Sequence, residues 1–95
     1  MFDKIYKLVK KIPKGKVMTY GQVAKALGIR DVRKVGFALH ANKSSEVPCH
    51  RVVNKEGKLA ANFAFNGAEE QQRRLESEGI KFEKDCYVDL TKYGM

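Results

Sequence analysis

Apolar residues return at helical intervals through the N-terminal part of the chain. Ile5, Leu8, Val9 and Ile12 fall at i, i+3, i+4 and i+7, so one face is apolar while Lys4, Lys7, Lys10 and Lys11 point away from it. Pro13 and Gly15 end that helix. Thr19, with Gln22 three residues on, forms a capping box that opens a second helix. Tyr20, Val23, Ala24 and Leu27 supply its stripe, and Gly28 closes it. Asp31 caps a third helix, with Val32, Val35 and Leu39 predicted inward and Arg33, Gly36 and His40 on another face.

Two short helices joined by Gly28-Ile29-Arg30 have the outline of a helix-turn-helix, an outline that an ordinary helical hairpin shares. Charge separates the two: Arg30, Arg33, Lys34 and Lys43 gather on or beside the second member of the pair, which favours DNA as the partner. From Ser44 to Gly67 the helical period disappears. Arg51-Val52-Val53 and Lys58-Leu59-Ala60, separated by Asn54-Lys55-Glu56-Gly57, predict a small hairpin or wing. Asn66 with Glu69 then opens a fourth helix running to Glu78, with Gly79 as its stop. A short extended piece near Ile80–Phe82 and a last turn from Asp89 to Tyr93 complete the pattern. The expected fold is mainly α with a small β hairpin: one winged helix-turn-helix-like domain over residues 1–95.

Composition narrows the class. A chain of 95 residues and 10.8 kDa, 43% hydrophobic and 32% charged, has a globular balance and room for one modest core. No apolar run reaches the roughly 20 residues of a membrane span, and the charged opening MFDKIYKLVKK lacks the apolar stretch of a signal peptide. A cytoplasmic protein with no membrane partner is therefore expected, nucleoid-associated in a prokaryote. Cys49 and Cys86 are expected to be reduced thiols. Residues 1–45 carry eleven Lys/Arg against Asp3 and Asp31, a net of +9, whereas residues 46–95 carry eight against nine acids. A basic half beside a neutral one points to a polyanion-facing surface, with nucleic acid as the leading partner.

The densest chemistry lies in Val47-Pro48-Cys49-His50-Arg51-Val52-Val53. A thiol attacks as its thiolate, which is scarce at neutral pH, so it needs a base and a favourable field. His50 can take the proton directly or through water, and Arg51 favours the anion. Adjacent residues of an extended chain diverge, so adjacency alone does not bring His50 to Cys49, and a small buried cysteine beside a hydrogen-bonding histidine fits the same residues. His40, Cys49, His50 and Cys86 lack the paired spacing of a metal site, and no glycine-rich phosphate loop is present.

PCHRVV, preceded by GKVMTYGQVAKALG and followed by RLESEG, resembles the active-site and DNA-binding segments of the O6-alkylguanine-DNA alkyltransferases, with Arg33, Gly36 and Asn42 at matching spacing. The likeness runs from about residue 4 to residue 82. It implies a winged helix-turn-helix that docks in the minor groove of double-stranded DNA containing O6-alkylguanine. Gly36 would allow close approach to the groove, with Lys34, His40 and Arg51 as further DNA-binding residues. Arg33 would fill the gap left by a flipped base, and Tyr20 would crowd the flanking phosphate and hydrogen-bond the guanine. Cys49 would take the alkyl group, with His50 as base through a water and Glu78 orienting the imidazole. Asn42 would brace the turn, the carbonyls of Cys49 and Val52 would hold the guanine amino group, and Phe63 and Ala64 would line the pocket. The thioether product has no leaving group, so the resemblance implies a suicide repair protein needing no metal and no cofactor.

Several features depart from that family. The N-terminal domain usual in full-length alkyltransferases is not expected here, the segment from Ala60 to Gly67 replaces a glycine-rich loop, and Phe37 is bulkier than the small residue expected there. Shortness and the tail look closer to alkyltransferase-like proteins, which bind the same lesions without repairing them and carry another residue in place of the cysteine. The alternative to a repair enzyme is thus a lesion sensor that recruits a repair-protein partner. A winged-helix regulator and a thiol hydrolase are more distant readings. A monomer is expected.

Overall fold

Thr19 opens the second helix through the predicted box: its hydroxyl accepts from the Gln22 amide at 3.0 Å while the Gln22 side chain accepts from the Thr19 amide at 2.8 Å. At the other end Gly28 takes the left-handed conformation, φ 70°, and its amide closes onto the Ala24 and Lys25 carbonyls. The computed structural model describes residues 3–41, 46–59, 67–82, 84 and 86–95. Its elements in order are α1 (Asp3–Lys10), β1 (Met18–Thr19), α2 (Tyr20–Leu27), α3 (Arg33–Ala41), a 3₁₀ turn (Cys49–Arg51), β2 (Val52–Val53), α4 (Gly67–Ser77) and α5 (Leu90–Tyr93). No described helix is long and apolar enough to cross a membrane.

The fold is mostly helical, as expected, but its strands pair differently. β1 and β2 run parallel, Met18 opposite Val52 and Thr19 opposite Val53. The expected reversal after Val53 does form: the Asn54 side chain accepts from the amides of Glu56 (3.0 Å) and Lys58 (2.9 Å). The returning chain then leaves β2 and bridges Tyr87 from Lys58, with Leu59 donating to the Cys86 carbonyl and Val88 to that of Gly57. The reason is burial. Val52 and Val53 are both fully buried, so this strand lies between layers, where parallel pairing is at home, and not on a half-exposed wing. Gly57 has φ 85°, and a Cβ there would collide with the Val88 carbonyl oxygen, so glycine is required where the chain turns back.

The two strands partition the interior. Met18 and Val52 face a first core built from Ile5, Val9 and Ile12, Val23 and Ala24, Val35, Ala38 and Leu39, together with Val47 and Cys49. Val17 and Val53 face a second core with Leu59, Leu75, Ile80 and Val88. Strand alternation thus sends successive residues to different layers. Tyr6 ties α1 to α3, its hydroxyl donating to the Ala38 carbonyl at 2.7 Å.

Other boundaries differ in detail. α3 begins at Arg33, one residue after Val32, which is 42% exposed and yields its expected inward place to Ala38. Asp31 still serves that end, accepting from the Arg33 amide at 3.1 Å. Ile80–Phe82 forms no strand, although Ile80 is buried, and the last turn appears as α5 with Asp89 as its cap. Asn66, the expected start of the fourth helix, lies outside the described residues.

Candidate active site

The site grows from one proline. Pro48 has φ −78° and ψ 64°, the inverse γ-turn conformation, and the Cys49 amide donates to the Val47 carbonyl across it at 2.8 Å. The chain then tightens into the 3₁₀ turn, with Arg51 donating to the Pro48 carbonyl and Val52 to that of Cys49. Successive side chains of such a turn diverge by about 120°. Cys49 therefore enters the first core, 4% exposed, while His50 and Arg51 turn toward the end of α4. Neither Cys49 nor Cys86 forms a disulfide.

Glu78, just past α4, receives both. His50 Nε2 lies 2.8 Å from its Oε2, and the Arg51 guanidinium reaches Oε1 at 2.9 Å and Oε2 at 2.6 Å. Burial pulls the Glu78 carboxyl upward, but the hydrogen bonds from Arg51 and His50 outweigh it, and the net position is below the ordinary carboxylate range. For His50 the balance is reversed: burial outweighs the Glu78 contact and holds the imidazole below its ordinary value, hence neutral at pH 7. An ionised carboxylate only accepts, so the proton of the neutral ring sits on Nε2. Nδ1 is left with a lone pair, which is what a base requires.

Arg51 takes an inward place. Its side chain is 11% exposed, and its Nη1 donates to the Ile12 carbonyl after α1 at 2.7 Å. The expectation of a DNA-facing Arg51 is thereby corrected. Its charge is engaged by Glu78, because a partly buried carboxylate needs a partner more than a solvated phosphate does.

Sequence reasoning missed Gln71. Its side chain is fully buried, and its amide donates to the carbonyls of His50 at 3.0 Å and Val52 at 3.1 Å. Gln71 and Leu75 stand at i and i+4 on the inward face of α4, with Glu78 at i+7 just past its end, so a polar residue at a core position was the available signal. The Cys49 carbonyl accepts from the Val52 amide, and the Val52 carbonyl accepts from Gln71 at 3.1 Å. The Val52 side chain is buried in the first core.

Tyr20, the first residue of α2, packs against the core that contains Cys49. Burial, and behind it the negative charge of an ionised Cys49, push its phenol above the ordinary value, so it remains an O–H donor. The remaining candidates stand apart on α3. Arg33 is 82% exposed and engages the Asp31 carboxylate at 3.0 and 3.2 Å. Lys34 and His40 are exposed, and a Cβ added at Gly36 would meet open space. Asn42, Lys43, Phe63 and Ala64 lie outside the described residues.

A helix-turn-helix pair, α2 and α3, backed by a turn in which a buried cysteine precedes a glutamate-held histidine is the class of domain that this geometry defines. The particular family follows from comparison: the model for the DNA-binding domain of 6-O-methylguanine DNA methyltransferase matches residues 1–80, and the chain belongs to that family. Alkyltransferase-like protein 1 of Schizosaccharomyces pombe is 39% identical over 82 residues, 84% of this chain and 76% of that protein. The methylated-DNA–protein-cysteine methyltransferase of Thermococcus kodakarensis is 42% identical over 80 residues, 82% of this chain and 44% of that protein. Among solved structures, S. pombe Atl1 in complex with damaged DNA containing O6-carboxymethylguanine superposes with a TM-score of 0.85 at 34% identity, covering 99% of this chain and 93% of that one.

Proposed function

We propose that the protein binds double-stranded DNA containing O6-alkylguanine, rotates the damaged base out of the helix and transfers its alkyl group to Cys49 once and irreversibly. The observation that carries this reading is the turn in which the residue after the buried Cys49 is a neutral histidine held by an ionised glutamate. Family membership and the likeness to a structure holding O6-carboxymethylguanine DNA support the same substrate.

The steps balance as a single displacement. Cys49 gives its proton to His50 Nδ1, through water, and the thiolate attacks the alkyl carbon in line with the bond to O6. A C–S bond forms as the C–O6 bond breaks, with the electron pair leaving on guanine. A proton returns to the guanine ring, to which the Tyr20 hydroxyl donates a hydrogen bond. Thiol plus alkylguanine become thioether plus guanine, and no cofactor enters the balance. Arg33 occupies the gap in the stack, and the Cys49 and Val52 carbonyls hold the guanine amino group. Asn42, Phe63 and Ala64 complete the turn and pocket in this reading. Such a protein works in the cytoplasm, where DNA and reduced thiols coexist.

A second reading is a sensor that binds the lesion without transfer. The likeness to S. pombe Atl1, at a TM-score of 0.85, favours it. Transfer of a tritiated methyl group from an O6-methylguanine duplex separates the two. Label that becomes protein-bound in wild type and stays on DNA with Cys49→Ala supports repair. Tight lesion binding with no label transferred by the wild type would establish the sensor.

A further inference from the structure

The outer face of α3 carries an aromatic ring that the transfer chemistry leaves unused. Phe37 is 66% exposed, more than any other large apolar side chain among the described residues. It stands four residues after Arg33 on the same helical face, with Gly36 beside it and His40 a turn further on, while Val35, Ala38 and Leu39 take the inward positions. A helical side chain leans toward the N-terminus of its helix, so the ring covers the turn that begins at Arg33. Leaving a phenyl in water forfeits its burial, and apolar side chains exposed beside a binding element mark contact surfaces. The surroundings select the partner: Arg30, Arg33 and Lys34 make this face cationic, which suits a nucleic acid and opposes a purely apolar protein groove.

We propose that Phe37 is a second groove-entering residue, an apolar wedge that packs on sugars and base edges one turn along α3 from Arg33 and determines how far the duplex opens. The proposal rests on the reading of α3 as the groove helix made above. Apolar wedges of this kind partly unstack a base step and bend the duplex, and the cost is lowest at flexible pyrimidine–purine steps. Gly36, with open space where its Cβ would stand, lets the backbone come close enough for the ring to reach. The two residues then divide the work: Arg33 acts by charge and stacking, Phe37 by apolar contact alone.

That division can be measured. Phe37→Ala, Phe37→Leu and Arg33→Ala are titrated against an O6-methylguanine duplex carrying 2-aminopurine beside the lesion, over a range of salt. Thermal unfolding checks that each variant is folded. Phe37→Ala should weaken binding about tenfold and lower the 2-aminopurine signal with no change in salt slope, because a phenyl releases no counterion. Phe37→Leu should restore most of both. Arg33→Ala should reduce the slope. Affinity and fluorescence that match wild type in Phe37→Ala, or that increase, would overturn the wedge while leaving the groove helix intact. Absence of salt-dependent duplex binding by the wild type would overturn the groove reading, and the wedge with it.

Discussion

The imidazole of His50 and the carboxylate of Glu78 stand 2.8 Å apart across the boundary between the 3₁₀ turn and α4, and this contact decides which nitrogen of the ring is basic. Glu78 also carries the Arg51 guanidinium on both of its oxygens, so one carboxylate orients the base and neutralises a partly buried cation.

Glu78→Gln should therefore affect two observables. The amide can donate to His50 as well as accept, so the tautomer is no longer enforced and alkyl transfer should slow about 10- to 100-fold. Arg51 loses its counter-charge while nearly buried, which should cost about 3 kcal/mol in stability, read by urea unfolding. An unchanged transfer rate in a folded variant would remove Glu78 from the mechanism.

Acid should act on the same cluster through two groups. Glu78 has a folded pKa below its unfolded value, so its contribution is present above the unfolded value and lost as pH falls through the folded one. His50 also has a lowered folded pKa, so the unfolded chain takes up its proton first, and stability falls once pH drops below the ordinary histidine value of about 6.5. Both signs agree: unfolding should become easier from about pH 6.5 downward, and Glu78→Gln should remove the lower part of that dependence. The transfer rate should stay level down to pH values below about 6.5, because His50 remains an unprotonated base there.

Gln71 holds the main chain of the turn from behind. Gln71→Leu keeps volume but leaves the His50 and Val52 carbonyls short of a donor, which should cost about 1–3 kcal/mol in stability. Transfer should fall further than lesion affinity, since the turn presents the nucleophile and α3 presents the DNA face. Equal losses in both would mean that Gln71 supports only the fold.

Arg33→Ala should weaken flipping and slow transfer from duplex DNA while reaction with the free alkylated base changes little. It should also lower the salt dependence of binding by about one counterion. Equal loss on duplex and free base would exclude a role in filling the stack.

The legible parts of this fold are local ones. The Thr19–Gln22 box and the Gly28 cap depend on residues within one turn, and both form as read. Glu78 was legible through the RLESEG motif. The partner of β2 was not, because a parallel strand comes from across the chain and a turn signal at Asn54–Gly57 says only that the chain reverses. Arg51 reads as a surface cation until Glu78, 27 residues away, is brought against it. Gln71 stayed hidden for the same reason, since the carbonyls it holds lie 19 and 21 residues earlier. Val32 was displaced by a one-residue shift in where α3 begins, a scale on which helix starts are poorly defined by pattern.

The most direct test is the intact mass of the protein after incubation with an O6-methylguanine duplex, followed by peptide mapping. One methyl in place of one hydrogen, confined to the peptide containing Cys49 and absent from Cys49→Ala, is the expected result. An unchanged mass under conditions where the duplex is fully bound, or a methyl found on Cys86, would contradict transfer to Cys49.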